Sequence, residues 1–146
     1  MALWERYKSL LARDCRGASA VEFALVTPVF LLLVFGALAY GIYFGAAHSV
    51  QQLAADAARA AVAGLNVTER ATLAVSFIDA NGGAYVLIDP TRLELDAGPS
   101  GTDPDQFTVA LSYDASTLPI WNLYPPIPLP NSKIITFTST IRNGGV

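Results

Sequence analysis

The stretch that decides the fold runs from Phe23 to Ala47 and reads FALVTPVFLLLVFGALAYGIYFGAA. Its 25 residues contain no charged side chain. A helix of this length is about 37 Å long at 1.5 Å per residue, which exceeds the roughly 30 Å hydrocarbon core of a bilayer. The run is also about twice as long as the apolar part of a secretory signal peptide, and no convincing small-x-small cleavage site follows it. The stretch therefore predicts a helix that spans a membrane.

Charged side chains are distributed unevenly on the two sides of this run. Residues 1–17 carry four basic and two acidic side chains, whereas residues 18–146 carry five basic and ten acidic ones. Because basic flanks of a spanning helix stay in the cytoplasm, the N-terminus is predicted to be cytoplasmic and the C-terminal part external.

The composition limits the classes of function. The 146-residue chain has a net charge of −3 and only 14% charged residues, so it offers no basic face for nucleic acid. A single cysteine, Cys15, excludes an internal disulfide, and a single histidine, His48, excludes metal sites that need several such ligands. The acidic residues of the C-terminal part form no paired site that their spacing supports. No enzymatic activity, metal or cofactor is expected.

The junction before the span has a specific pattern. Residues 13–28 read RDCRGASAVEFALVTP, in which a basic leader ends at Gly17 and a lone acid, Glu22, stands at the edge of the apolar run. A carboxylate close to the bilayer is costly, so an isolated one indicates a function. The alternative is an interfacial acid that extends toward water beside Arg16.

The run RGASAVEFALVTPVFLLLVFG, residues 16–36, resembles the N-terminus of TadE-like proteins, minor pseudopilins of the bacterial tight-adherence (Tad, Flp-type) pilus machinery. The resemblance implies that a prepilin peptidase cuts between Gly17 and Ala18 at the cytoplasmic face of the inner membrane. It also implies that Glu22, with Phe23 beside it, acts in assembly by pairing with the N-terminus of an adjacent subunit. Other Tad pilins or pseudopilins and the inner-membrane assembly platform are the implied partners.

Small residues recur every four positions in the outer half of the span, at Ala37, Gly41 and Gly45. Such spacing lets two membrane helices approach closely, so these residues are candidates for a helix-packing face. Chance is the alternative, since small residues are common throughout this helix. Aromatic side chains near the outer end fit an interfacial belt; they are Tyr40, Tyr43 and Phe44.

Helical periodicity continues beyond the span, and one helix is expected over residues 18–63. Apolar residues of its outer half repeat at i, i+3 and i+4 and are expected to cover a sheet. They are Val50, Leu53, Ala54, Ala57, Ala58, Ala61, Val62 and Leu65. A second helix is predicted over residues 68–80, with Thr68 as its N-cap and Asn81-Gly82-Gly83 as its end.

The period changes to two after Gly83, which predicts three or four antiparallel strands with one apolar face. The expected strands lie at residues 85–88, 93–96, 107–113 and 135–141. The loop at 98–105 contains Asp103 and Asp105, and a solvated turn is favoured there over a calcium site. Residues 118–130 contain five prolines between large apolar residues. This loop either packs over the sheet, which is favoured, or presents Trp121 and Tyr124 to a partner.

The sequence thus predicts an α+β protein with a cytoplasmic leader at 1–17, a transmembrane helix at 18–47 and an extracytoplasmic pilin-like domain at 48–146. The resemblance implies a minor pilin or pseudopilin of the bacterial inner membrane that takes part in Tad/Flp pilus assembly. Its C-terminal domain would be periplasmic, or extracellular where the subunit enters the pilus. The alternative is an unprocessed single-pass scaffold or binding subunit of a secretion complex.

Overall fold

The computed structural model describes residues 16–122, 129–130 and 132–142. The chain forms two compact units, Met1–Ala37 and Leu38–Val146. The helices are α1 (Arg16–Ala61) and α2 (Val67–Asn81), and the strands are β1 (Leu93–Pro99), β2 (Gln106–Asp114) and β3 (Ile134–Arg142). The long apolar helix, the second helix and the antiparallel sheet confirm the predicted α+β class.

Helix α1 is long and apolar enough to cross a membrane, and its apolar side chains in the first unit point outward. Phe23 and Leu25, for example, are 73% and 72% exposed. Pro28 lies inside the helix and has no N–H to donate to the carbonyl of Ala24. One residue earlier, the Thr27 hydroxyl donates to the Phe23 carbonyl at 2.6 Å. The helix nevertheless continues without interruption to Ala61.

The connection between the helices is tied by local hydrogen bonds. Asn66 is the N-cap of α2, since its Oδ1 accepts the N–H of Glu69 at 2.9 Å, and Glu69 Oε2 accepts the N–H of Leu65 at 2.8 Å. The predicted cap, Thr68, is therefore wrong, because the side chain two positions earlier reaches the free N–H groups of the first turn. Gly64 is required here, as a Cβ would lie 2.7 Å from the backbone nitrogen of Arg70.

The three strands form one antiparallel sheet in the order β1-β2-β3. Leu111 in the central strand pairs with Leu95 on one side and with Phe137 on the other. Alternate residues of β2 are buried, namely Phe107, Val109, Leu111 and Tyr113. The strands predicted after residue 92 are thus confirmed. In the β1–β2 loop, Asp103 accepts the N–H of Asp105 at 2.9 Å and the side-chain amide of Gln106 at 2.9 Å, as in a hydrogen-bonded turn.

The outer half of α1 shares a buried core with the inner face of this sheet. Six of the eight residues of the predicted stripe are buried: Val50, Leu53, Ala54, Ala57, Ala58 and Ala61. The other two are exposed, Val62 by 57% and Leu65 by 90%, so the prediction was wrong for them. The reason is that α1 ends at Ala61, after which the chain turns and the helical periodicity no longer sets the direction of its side chains.

The strand predicted at residues 85–88 is absent, and the chain there forms a loop after a 3-10 turn at Gly82–Ala84. Leu87 has φ 64°, a left-handed conformation that interrupts an extended strand and that leucine rarely adopts. The Tyr113 hydroxyl donates to the carbonyl of Leu87 at 3.1 Å. This hydrogen bond from the central strand helps to hold the loop in place.

The first part of the proline-containing segment packs into the core. Leu118 and Ile120 are 6% and 1% exposed, and the Trp121 indole N–H donates to the carbonyl of Ala115 at 2.6 Å. The Lys133 ammonium lies 5.4 Å from the centre of the Trp121 ring. Packing, the favoured alternative, is thereby confirmed for this part, while Tyr124 lies outside the described residues.

Candidate functional site

The predicted cleavage point lies in the first turn of α1. The helix begins at Arg16, so the Gly17–Ala18 peptide is helical, and both residues are exposed. A Cβ at Gly17 would meet no atom within 4 Å, so packing within the chain does not require glycine there. The first N–H groups of a helix have no helical acceptors, and unwinding this turn therefore breaks few hydrogen bonds. The peptide can be extended for a protease at small cost.

The carboxylate predicted to act in assembly stands alone. Glu22 is exposed, as is the neighbouring Phe23. Among the side chains that the structure describes, Glu22 makes no ion pair, and α1 has no Lys or Arg between Gly17 and Arg59. Glu22 lies four residues beyond Ala18, which is about 6 Å along the helix axis. An ammonium created at Ala18 would be the nearest cation on the same helix.

The structure places the three small residues of the predicted helix-packing face in different surroundings. Ala37 is exposed, and a Cβ at Gly41 would meet no atom within 4 Å. A Cβ at Gly45 would instead lie 3.2 Å from Leu87 Cδ1, so Gly45 accommodates the loop of its own chain. Packing of this face against another subunit stays a prediction.

Comparison with known families gives a match on this helix. Residues 17–59 match the family model of TadE-like proteins. The resemblance predicted from the sequence is confirmed over this segment, which matches a TadE-like protein of the Tad pilus system. TadE-like proteins are in general not enzymes. Comparisons with curated proteins and with solved structures give no match.

The TadE-like segment begins at Gly17 and ends at Arg59, within the last turn of α1. It therefore contains both the exposed apolar part of the helix and most of the stripe that packs into the core. The sheet lies beyond the matched residues.

A polar cluster at the outer end of the TadE-like segment was not predicted from the sequence. The Tyr85 hydroxyl donates to Asp56 Oδ2 at 2.7 Å, and Arg59 donates to the other oxygen of the same carboxylate. Burial and the hydrogen bond to Asp56 raise the pKa of Tyr85 to about 12. The phenol therefore remains a protonated donor at neutral pH and fixes the 85–88 loop to α1. Tyr85 and Asp56 are 29 residues apart in the sequence, so no local sequence pattern predicts this hydrogen bond.

Replacing Tyr85 with phenylalanine is expected to lower the free energy of unfolding by about 1 kcal/mol at pH 7, the usual contribution of a partly exposed hydrogen bond. Since the folded-state pKa is raised, the stabilisation is present below pH 10 and is lost as the pH rises toward about 12. Denaturant unfolding of both proteins at pH 7 and pH 11.5 checks this. The difference between the two proteins should be smaller at pH 11.5 than at pH 7, and a constant difference would contradict the assignment.

A second ion-paired group joins the start of β1 to the end of β2. Arg92 donates to Asp114 at 3.0 Å and to the hydroxyl of Ser116 at 3.2 Å. Hydrogen bonds from Ser116 lower the pKa of Asp114, and those from Thr91 lower the pKa of Asp89. Arg92 is thus paired with the carboxylates of Asp114 and Asp89, and these residues stabilise the turns in which they lie. Within residues 16–122, 129–130 and 132–142, no group of three or more His, Cys, Asp or Glu is arranged to hold a metal ion.

Proposed function

We propose that the chain is a minor pilin or pseudopilin of a Tad/Flp-type pilus and that it works by assembly. The observation that carries the proposal is the TadE-like match over residues 17–59, on an exposed apolar helix with one isolated carboxylate near its start. Its partners are a prepilin peptidase, other Tad pilins or pseudopilins and the inner-membrane assembly platform.

The proposed topology places residues 1–17 in the cytoplasm as a leader, residues 18–47 in the inner membrane and residues 48–146 in the periplasm. The basic leader and the acidic C-terminal part support this orientation. The exposed apolar side chains before Leu38 support a lipid or subunit environment for the span.

Cleavage prepares the chain for assembly. The peptidase hydrolyses the Gly17–Ala18 peptide bond, which leaves a carboxylate on the released leader and an ammonium on Ala18. The same cut removes every basic residue before Arg59 from the chain. Glu22 then faces no cation of its own leader, and the Ala18 ammonium of an adjacent subunit is available to neutralise it. Removal of the leader thereby frees the carboxylate for a partner.

The N-terminal mass of the protein from native membranes tests the proposal. The mature chain is expected to begin at Ala18, and Gly17→Ile is expected to leave an inserted precursor that retains residues 1–17, because a bulky side chain obstructs entry into the protease cleft. Gly36→Ile is the matched control, since Gly36 also has no atom near its missing Cβ but lies far from the cut. This variant should be processed normally.

Retention of Met1 in cells with an active prepilin peptidase would contradict the pilin-like function. That outcome would support the alternative, an unprocessed membrane-anchored scaffold that keeps its leader.

A further inference from the structure

The loop at residues 85–88 presents an exposed apolar surface beside α1. Val86 is 73% exposed and Leu87 is 39% exposed, although both are large and apolar. The loop is held on the helix, since Leu87 Cδ1 lies 3.2 Å from the position that a Cβ of Gly45 would take and Tyr85 donates to Asp56. Its position along α1 is therefore defined, and it meets the helix inside the uncharged run that ends at Ala47.

The charge pattern of α1 determines how deep this contact lies in a membrane. Glu22 is the last charged residue before the run, and a carboxylate is most stable outside the hydrocarbon core. A core of about 30 Å that starts at Phe23 takes up about 20 helical residues and ends near Ile42. Gly45 then lies about 4 to 5 Å beyond the hydrocarbon, within the headgroup layer. A loop in contact with Gly45 must meet the same layer.

The residues around the loop fit this environment. No charged side chain occurs between residues 80 and 88. On α1, Phe44 is 62% exposed at the same level, and Tyr40 and Tyr43 are partly buried nearby. Aromatic and aliphatic side chains without charges are typical of segments that lie at a membrane interface.

We propose that the 85–88 loop is a membrane-contacting element, which rests on the outer leaflet of the bilayer with Val86 directed among the lipids. This inference rests on the membrane-spanning part of the proposed function. On one side α1 is covered by its own chain at this depth, since Ala46 is 0% exposed, and the exposed loop lies on that covered side. The loop anchors the external domain to the membrane surface at a second point beside the helix.

Fluorescence quenching by spin-labelled lipids tests the inference on the full chain in phosphatidylcholine vesicles. Cys15→Ser removes the native thiol, and single cysteines are then introduced as Val86→Cys, Leu33→Cys and Leu65→Cys and labelled with an environment-sensitive fluorophore. Val86 is chosen because its side chain is exposed, so that the label does not disturb the core. Leu33 reports on the span. Leu65 is a matched control, because it is equally apolar and 90% exposed. It follows the end of α1, and that end lies about 24 Å beyond Gly45.

The label at Val86 is expected to lose about half of its emission to lipids that carry the nitroxide near the headgroup, since interfacial segments insert by about 5 to 10 Å. The label at Leu65 should be quenched only by aqueous iodide, and the label at Leu33 only by lipids with the nitroxide deep in the acyl chains. If lipids quench the label at Leu33 but the label at Val86 is quenched only by iodide, the loop does not contact the membrane, although the helix still spans it. If Leu33 is not quenched by any lipid, the span and this inference both fail.

A third outcome would exclude lipid as the occupant. A Val86 label that is shielded from iodide but insensitive to every spin-labelled lipid would show that protein, and not lipid, covers the loop. That result would overturn the lipid contact.

Discussion

Leu53→Ala is expected to lower the free energy of unfolding by about 2 to 5 kcal/mol, the range for deletion of a buried leucine side chain. Leu53 is 0% exposed and is one of the largest fully buried side chains of the core shared by α1 and the sheet. Urea unfolding of the full chain in mild detergent measures the loss, followed by the fluorescence of Trp121 after Trp4→Phe has removed the other tryptophan. Trp121 is a suitable reporter because it is partly buried and bonded to the carbonyl of Ala115.

Val62→Ala is the control for this variant. Val62 belongs to the same predicted apolar stripe as Leu53, but its side chain is 57% exposed. The substitution should therefore change the free energy of unfolding by less than about 0.5 kcal/mol. Similar small losses for both variants would mean that α1 is only a stalk and that the sheet is stable without it.

Glu22→Gln is expected to be inserted and cut normally but to fail to co-purify with partner pilin-like subunits. The amide keeps the size of the side chain and removes the charge that would pair with an Ala18 ammonium. An unpaired carboxylate near the bilayer bears a desolvation penalty, and pairing across subunits lowers that penalty in the assembled state more than in the single subunit. Affinity purification from membranes, with mass spectrometry of the co-purified subunits and of the mature N-terminus, separates assembly from processing.

Glu94→Gln provides the matched control, because Glu94 is an exposed acid on the outer face of the sheet. It should co-assemble as the unmodified chain does. Wild-type co-assembly of Glu22→Gln would show that charge pairing is not the mechanism and that Glu22 is an interfacial acid.

The elements with a strong repeating pattern were predictable from the sequence. The strand around Leu111 alternates without interruption, and the stripe around Leu53 keeps its helical period, so burial of one face follows directly. The errors lie where the backbone departs from the regular element that the local pattern predicts. The apolar residues 85–88 predict a strand, but the left-handed φ of Leu87 makes this segment a loop.

Part of the candidate site was likewise predictable from the sequence, and part was not. Gly17 and Glu22 are recognisable because they lie close together in a run of otherwise apolar and small residues. The contacts of Tyr85 with Asp56 and of Leu87 with Gly45 join distant parts of the chain. Nothing in the spacing of these residues specifies the contacts, since they depend on how the whole domain packs.

The order of the elements has a consequence for biosynthesis. The stripe on α1 precedes the central strand that it packs with by about 60 residues, which corresponds to roughly 3 to 12 s of translation at about 5 to 20 residues per second. During that interval the sheet does not yet cover the stripe. Four of its six buried positions are alanine, Ala54, Ala57, Ala58 and Ala61, which expose little apolar area each. A stripe built from small side chains limits non-productive association until β2 emerges from the ribosome and the core closes.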